Sequence, residues 1–350
     1  MNKYKKIIMP LLQATVTLLL LWWIFHDPTK RHQMLVALEN ANLWWLVPGA
    51  ISFGLVLVCG TMRWHLLLSV QEIGLSWGRT WQLLMIGMFF NLFLLGSTGG
   101  DLLKTFYAMR EVPHKKTAVF LSIVVDRVVG MFSLMMVTLV ICLFSFSTLW
   151  ETPVTRGLLS TVAIVFGGFL VMLILSFILN HFHLWKRLPK GMPGHQFLVD
   201  VATAFSSYAR DGRSLGLAFL ISIFLNLFLF GSAVFAAYAF GALPGAPGAG
   251  PMISVMPIVN TISALPISLS GVGVREGLFE TLLNTLYATP KSLAVLISLT
   301  TFVLTVFWSL MGGIVYLFYR PSRIGEFSIN EMEQQVDFVE QVLEEKTEEM

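Results

Sequence analysis

Long apolar runs separated by short polar links recur along the whole chain. They fall at roughly residues 7–25, 43–62, 80–97, 117–146, 157–180, 215–241, 252–269 and 292–319. About 20 apolar residues in a helix span ~30 Å of hydrocarbon, so each run is a candidate membrane helix. The pattern predicts an all-α, polytopic transmembrane helix bundle. The first run follows a basic lead and ends in Trp22, Trp23 and Phe25 instead of a small-residue cleavage site, which predicts a retained anchor.

Two of the runs are broken. In "NLFLLGSTGGDLLK", residues 91–104, an apolar helix gives way to Gly96, Ser97, Thr98, Gly99 and Gly100, and then to Asp101 and Lys104. The stretch "PMISVMPIVNTISALPISLSGVGVREGLFETLL" carries Pro251, Pro257, Pro266, Gly271, Gly273 and Gly277, which suits a broken hairpin better than one helix.

Charge distribution fixes how these runs thread the membrane. With the N-terminus and its Lys3, Lys5 and Lys6 inside, eight simple crossings would put the most basic loops outside. Those loops are "KTFYAMREVPHKK" and the pair "HLWKRLPK" and "ARDGRS". Lys and Arg favour the cytoplasmic side. A turn back at the glycines of the 80–97 run returns both loops inside. By the same logic the 251–283 region enters and leaves on the outer side, after the charge-free "GALPGAPGAG". About six full crossings and two re-entrant hairpins of inverted orientation follow, with both termini cytoplasmic. Unsatisfied backbone within a membrane is tolerated only beside protein or a polar cavity, so paired broken segments point to a binding site. Glycines that merely let helices pack closely are the competing reading.

Composition agrees: 56% of the 350 residues are hydrophobic and 12% charged, with a mean hydropathy of +0.75. Such values exclude a water-soluble domain. Cys59 and Cys142 lie in apolar runs without metal or redox spacing. Against this background the intramembrane charges stand out: Asp101 with Lys104, Asp126 with Arg127 in "LSIVVDRVVGMF", Arg275 with Glu276 in "GVGVREGLF", and Glu280. A charge near the bilayer centre costs at least ~2.5–3.5 kcal/mol, so it pairs, faces a cavity or performs a function. A structural latch, with Asp126 paired to Lys104 or Arg275, stays open beside a functional role. Asn91 and Asn260 precede the two breaks and are placed to bond freed backbone groups.

The ordered motifs "GSTGGDLLK", "VVDRVVG" and "LPISLSGVGVREG" resemble the lysylphosphatidylglycerol synthase transmembrane region, also called the flippase-like membrane family. The resemblance covers approximately residues 10–320. It implies the moving or handling of lipids, either aminoacylated phosphatidylglycerol or polyprenyl-linked and other lipids. Matched by motif, the implied substrate-binding positions are Gly99, Gly100, Asp101, Lys104, Asp126, Arg127, Pro266, Gly271, Gly273, Arg275 and Glu276. Two departures are visible: no proline stands near the first break, and the soluble aminoacyl-transferring domain of the synthases has no counterpart, so lysylphosphatidylglycerol synthesis is not expected.

No HExxH, Walker-type GxxxxGK[ST] or GxSxG motif occurs, and "GVGVREG" has its third glycine one residue too late for a dinucleotide fingerprint. No catalytic residue, metal or cofactor is assigned, and no nucleic-acid partner is expected. Residues 196–210 place Phe197, Val201, Phe205 and Tyr208 on one face, which fits a helix lying on the cytoplasmic leaflet or an ordinary loop helix.

The domain division is 1–320 for the membrane domain and 321–350 for an acidic tail. The tail holds nine acids and two bases, which leaves the first 320 residues at +10. Met332, Val336, Val339 and Leu343 form a narrow helical stripe that fits the basic loops or a second copy, while a solvated tail is the alternative. The expected function is an inner-membrane lipid transporter for an anionic phospholipid or polyprenyl-linked lipid. A membrane-embedded lipid transferase and a non-transporting scaffold are the alternatives.

Overall fold

The computed structural model describes Trp22 and residues 26–93, 99–181, 208, 211–264 and 271–320. The first apolar run, most of residues 196–210, Pro266 and the acidic tail lie outside the described residues. Among the described residues there are helices and no strands. In chain order they are α1 (Pro28–Glu39), α2 (Leu46–Val70), α3 (Trp77–Phe93), α4 (Gly99–Glu111), α5 (Lys116–Phe144), α6 (Phe146–Leu149), α7 (Pro153–His181), α8 (Gly212–Tyr238), α9 (Ala249–Ser263), α10 (Val274–Tyr287) and α11 (Lys291–Phe318). The protein is an all-α polytopic bundle. Among the described residues five segments, containing α2, α5, α7, α8 and α11, are long and apolar enough to cross a membrane.

Local chemistry sets several helix starts. Asp27 accepts the Thr29 N–H and Pro28 opens α1, while Asp211 takes both the N–H and the hydroxyl of Ser214 at the start of α8. α2 continues eight residues beyond the expected end at 62, because Trp64, Leu67 and Leu68 are fully buried and prolong its apolar face past Arg63.

The first broken run is a hairpin. The Lys115 ammonium donates to the carbonyls of Gln71 and Glu72, each at 3.0 Å, so the start of α5 meets the end of α2. Glu111, closing α4, lies 3.9 Å from Arg79 near the start of α3 and accepts the Tyr319 hydroxyl at 2.6 Å. Burial and the Glu111 carboxylate together push the Tyr319 phenol up from its ordinary range. α3 therefore begins, and α4 ends, at what we term the Lys115 end. At 1.5 Å per residue their 17 and 13 residues reach about 25 and 20 Å, against about 42 Å for the 28 residues of α11. Phe93 and Gly99, the inner ends of the two helices, thus stop short of a full crossing.

The second broken run is the inverse. The Asn42 N–H donates to Ala239 at 2.7 Å, and a Cβ on Gly245 would lie 2.8 Å from Pro290, so the ends of α8 and α10 and the start of α11 gather at the opposite, Ala246 end. α9 enters from that end and α10 returns to it. Each hairpin bears on α11. Gly312 and Gly313 leave room for the Met85 carbonyl and the Phe89 ring of α3, and Ser298 meets the base of α10.

Exposed aromatic side chains mark both ends. Trp22, Trp44, Trp45 and Trp150 are exposed at the Ala246 end and Trp77 at the other. Amphipathic indoles gather at membrane interfaces, so the bundle is framed as a bilayer would frame it.

Candidate functional site

The site begins with two glycines in close contact. A Cβ on Gly100 would overlap the Gly87 carbonyl oxygen, so α3 and α4 approach as closely as backbone allows. The Asn91 side-chain oxygen accepts the Gly100 N–H at 2.9 Å, satisfying one donor at the open start of α4. Asn91 thus does what its place before the break suggests. Asp101 sits in the first turn of α4, where the helix dipole favours a carboxylate. One turn later Lys104 points inward, its ammonium 3.8 Å from the Trp64 ring centre and 3.9 Å from Asp126 Oδ2.

Asp126 is the hub. Arg63 Nε donates to Oδ1 at 2.7 Å and Nη2 to Oδ2 at 3.2 Å, a two-point grip across 63 residues of sequence. Arg63 Nη1 donates to Ser222 Oγ at 3.0 Å. Gly130 makes room for this guanidinium, since a Cβ there would lie 2.8 Å from Nη1. Arg127, next along α5, pairs with Asp101. Its side chain is 53% exposed, whereas those of Arg63, Lys104 and Asp126 are buried. Val124 and Met131 are exposed on the same face of α5, so Arg127 is a cation displayed within an apolar strip.

These groups line a cleft of about 370 Å³. Apolar walls come from Leu84, Met88, Met131, Leu134 and Leu225, and Asn226 adds an amide held by Ser133 at 3.2 Å. Ala264, immediately after α9, also lines it. The flank of the second break thus reaches the same cleft as Asn91 and Asp101, which flank the first. Just beyond, Thr138 on α5 meets Thr261 on α9 at 3.0 Å. Three cations against two carboxylates leave the cleft one positive charge in excess.

Not all expected positions converge. Asp101, Lys104, Asp126 and Arg127 share the cleft, with Gly99 and Gly100 forming the helix start that carries them. Arg275 and Glu276 form a separate knot. The fully buried Glu276 carboxylate accepts the Gly273 N–H at 2.5 Å, Ser298 Oγ at 3.1 Å and Arg275 Nη2 at 2.7 Å. Gly271 and Gly273 adopt φ of +76° and +86°, which L side chains rarely adopt, and so turn the chain into α10. Arg275 Nε also reaches Ser298 at 3.2 Å, and its guanidinium lies over Phe302. Glu280 pairs with Lys30 on α1, not with Arg275. Asp126 pairs with Lys104 and with Arg63, not with Arg275. The Asn260 amide nitrogen is buried without a hydrogen-bond partner among the described residues.

Arg63, Ser222 and Asn226 were not apparent as site residues from the sequence. The signal for Arg63 is the apolar "WHLLLSV" that follows it and keeps it within a helix. Among the described residues no group of three His, Cys, Asp or Glu could hold a metal ion.

Comparison with known proteins bears on this architecture. The sequence model of the lysylphosphatidylglycerol synthase TM region matches residues 11–327. The chain belongs to this family. Both hairpins and both charged clusters of this family member fall inside the matched stretch. It is also 25% identical over 265 residues to a UPF0104 membrane protein of Methanothermobacter thermautotrophicus, a match covering 70% of this chain and 75% of that protein.

Proposed function

We propose that this protein binds a membrane lipid with its phosphate-bearing headgroup in the cleft and carries it between leaflets. The substrate class is an anionic phospholipid or a polyprenyl-linked lipid. The observation that carries the reading is the meeting of the two inverted hairpins at one cleft, through Asn91, Asp101 and Ala264. Discontinuous helices meeting in this way build transporter sites. An excess cation beside apolar walls complements an anionic headgroup with its chains. Asp101 neutralises Arg127, and a lipid phosphate takes its place when bound.

This exchange gives two variants opposite signs. Arg127→Gln is expected to weaken dioleoylphosphatidylglycerol binding in nanodiscs by about tenfold, the scale of one charge-assisted contact. Asp101→Asn, which removes the competing carboxylate, is expected to keep or raise that affinity. If both variants lower affinity and stability in parallel, the pair is only a latch. Translocation itself is read in proteoliposomes, as protein-dependent loss of inner-leaflet fluorescent phosphatidylglycerol protection against dithionite. No acceleration by a lipid-binding wild type would remove transport from the reading.

We further place the protein in the inner membrane with the Lys115 end cytoplasmic, because Arg79, Arg110, Lys115, Lys116 and Arg320 cluster there. In a background lacking Cys59 and Cys142, a single cysteine replacing Lys115 should be shielded from an impermeant thiol reagent in intact cells. One replacing Ala246 should react. The reverse pattern would invert the orientation.

A further inference from the structure

One face of α5 runs from the cleft toward the Ala246 end. Arg127, Met131, Leu134, Thr138 and, at the C-cap, Ser145 follow one another at helical spacing, so they stack along a single side of the helix. The first three line the cleft. α9 lies against the last two: Thr261 Oγ1 is 3.0 Å from Thr138 Oγ1, which is also 3.4 Å from the Pro257 carbonyl, and Ser254 Oγ is 3.3 Å from Ser145 Oγ. Ala264, just past the inner end of α9, meets the cleft itself. The seam between α5 and α9 is thus a polar continuation of the cleft.

The two sides of α5 are held differently. Toward α2 and α8, Arg63 grips Asp126 at two points and Asn226 donates to Ser133. Toward α9, the polar contacts among the described residues join neutral groups, and α9 contains no charged residue. Two of the hydroxyls have a substitute acceptor in their own helix. Thr138 donates to the Leu134 carbonyl at 2.7 Å, and Ser254 to the Gly250 carbonyl at 3.1 Å. Parting the helices therefore strands neither donor, and lipid chains replace the lost apolar contacts at little cost. Pro257 lies between the two contact points and has no N–H to give the carbonyl one turn earlier, which provides α9 with a point of flexure. Asn260 stands one turn before Ala264 on the same side of α9, and its amide nitrogen is buried without a partner among the described residues. Headgroup oxygens leaving the cleft would satisfy it.

We propose that α9 parts from α5 along this seam and that the lipid headgroup passes through the opened slot, with Thr138 against Thr261 as its closing contact. The inference rests on the transport proposed above and adds its route and its moving part. α2, α8 and the Asp126 hub keep their places while α9 swings about Pro257. The hydrocarbon chains need not enter the slot, because Leu139, Val140 and Leu143 are exposed on the neighbouring face of α5 and leave them a path in the bilayer.

A reversible lock tests the route in the full-length chain with Cys59 and Cys142 replaced. Thr138→Cys together with Thr261→Cys puts two thiols where two hydroxyls lie 3.0 Å apart, and oxidation should join them. In proteoliposomes the oxidised protein should translocate fluorescent phosphatidylglycerol at least about tenfold more slowly than the same protein after reduction. The locked protein should still bind dioleoylphosphatidylglycerol in the Arg127 cleft. Equal rates before and after reduction of a complete disulfide overturn the proposal. A second measurement reads the opening without transport, and holds even if the double variant does not fold. Thr261→Cys alone, in nanodiscs, carries a buried thiol that a hydrophilic methanethiosulfonate reaches only through an opened seam. With dioleoylphosphatidylglycerol present, its modification should be at least about tenfold faster than that of Thr61→Cys, buried in α2. Two thiols equally inert with and without the lipid overturn the proposal. Lipid-driven modification at position 261 in a protein that does not translocate would instead defeat the transport reading, and the passage with it, while leaving α9 as a moving helix.

Discussion

Asp126→Asn should destabilise the folded protein by about 3–5 kcal/mol, the range for removing one partner of a buried ion pair. The reason is specific to its two neighbours. Arg63 and Lys104 both depend on this carboxylate, and both side chains are largely buried. Asparagine keeps the shape and one acceptor but leaves two cations facing each other without a counter-charge. Adding Lys104→Met should recover more than half of the loss, because it removes one uncompensated cation, and the ring of Trp64 can pack against an apolar chain. Arg63→Met alone should cost less than Asp126→Asn, since Lys104 and Asp126 still balance. Reversible unfolding in mixed micelles measures all three. Strict additivity of Asp126→Asn with Lys104→Met would show that the three groups do not act as one unit. If the expected order holds, Asp126 is the element that keeps the buried cations in place, and Arg127 is the group left to meet a ligand.

A second large effect is expected where no charge is involved. Gly100→Ala adds one carbon that would overlap the Gly87 carbonyl and crowd Asn91, and both obstacles include backbone that cannot swing aside. The α3–α4 hairpin must part, with a loss of about 3 kcal/mol or more, the upper range for overpacking. The control is Gly168→Ala on α7, where a Cβ meets nothing within 4 Å. There the gain in helix propensity should make the change neutral or stabilising by up to about 1 kcal/mol. Equal effects at the two positions would mean that the hairpin is not closely packed.

The hairpins were legible because glycines and prolines interrupt apolar runs, and because one threading reconciles the basic loops. Lys115 against Gln71 and Glu72 is the structural counterpart of that reconciliation. The composition of the cleft was only half legible. Asp126 announced itself by lying deep in an apolar helix, but no spacing rule connects it to Arg63 on another helix. Arg63 was hidden by the habit of ending a membrane span at its first charge. The Arg275–Glu276 pair is a different case. Both residues are conspicuous beside a break, yet Glu276 is consumed by the Gly273 N–H and Ser298, and Arg275 by Glu276. Consecutive helix residues do not ordinarily face each other, so spacing alone does not distinguish a pair that closes on itself from two groups aimed at a ligand.

The two hairpins hang from opposite ends of the bundle, yet α11 touches both. It receives α3 against Gly312 and Gly313, and it meets the start of α10 through Ser298. At its last residues Tyr319 and Glu111 tie it to the base of the first hairpin. Any tilt of this one helix would therefore alter its contacts with both hairpins at once, as the beam of a balance moves both pans.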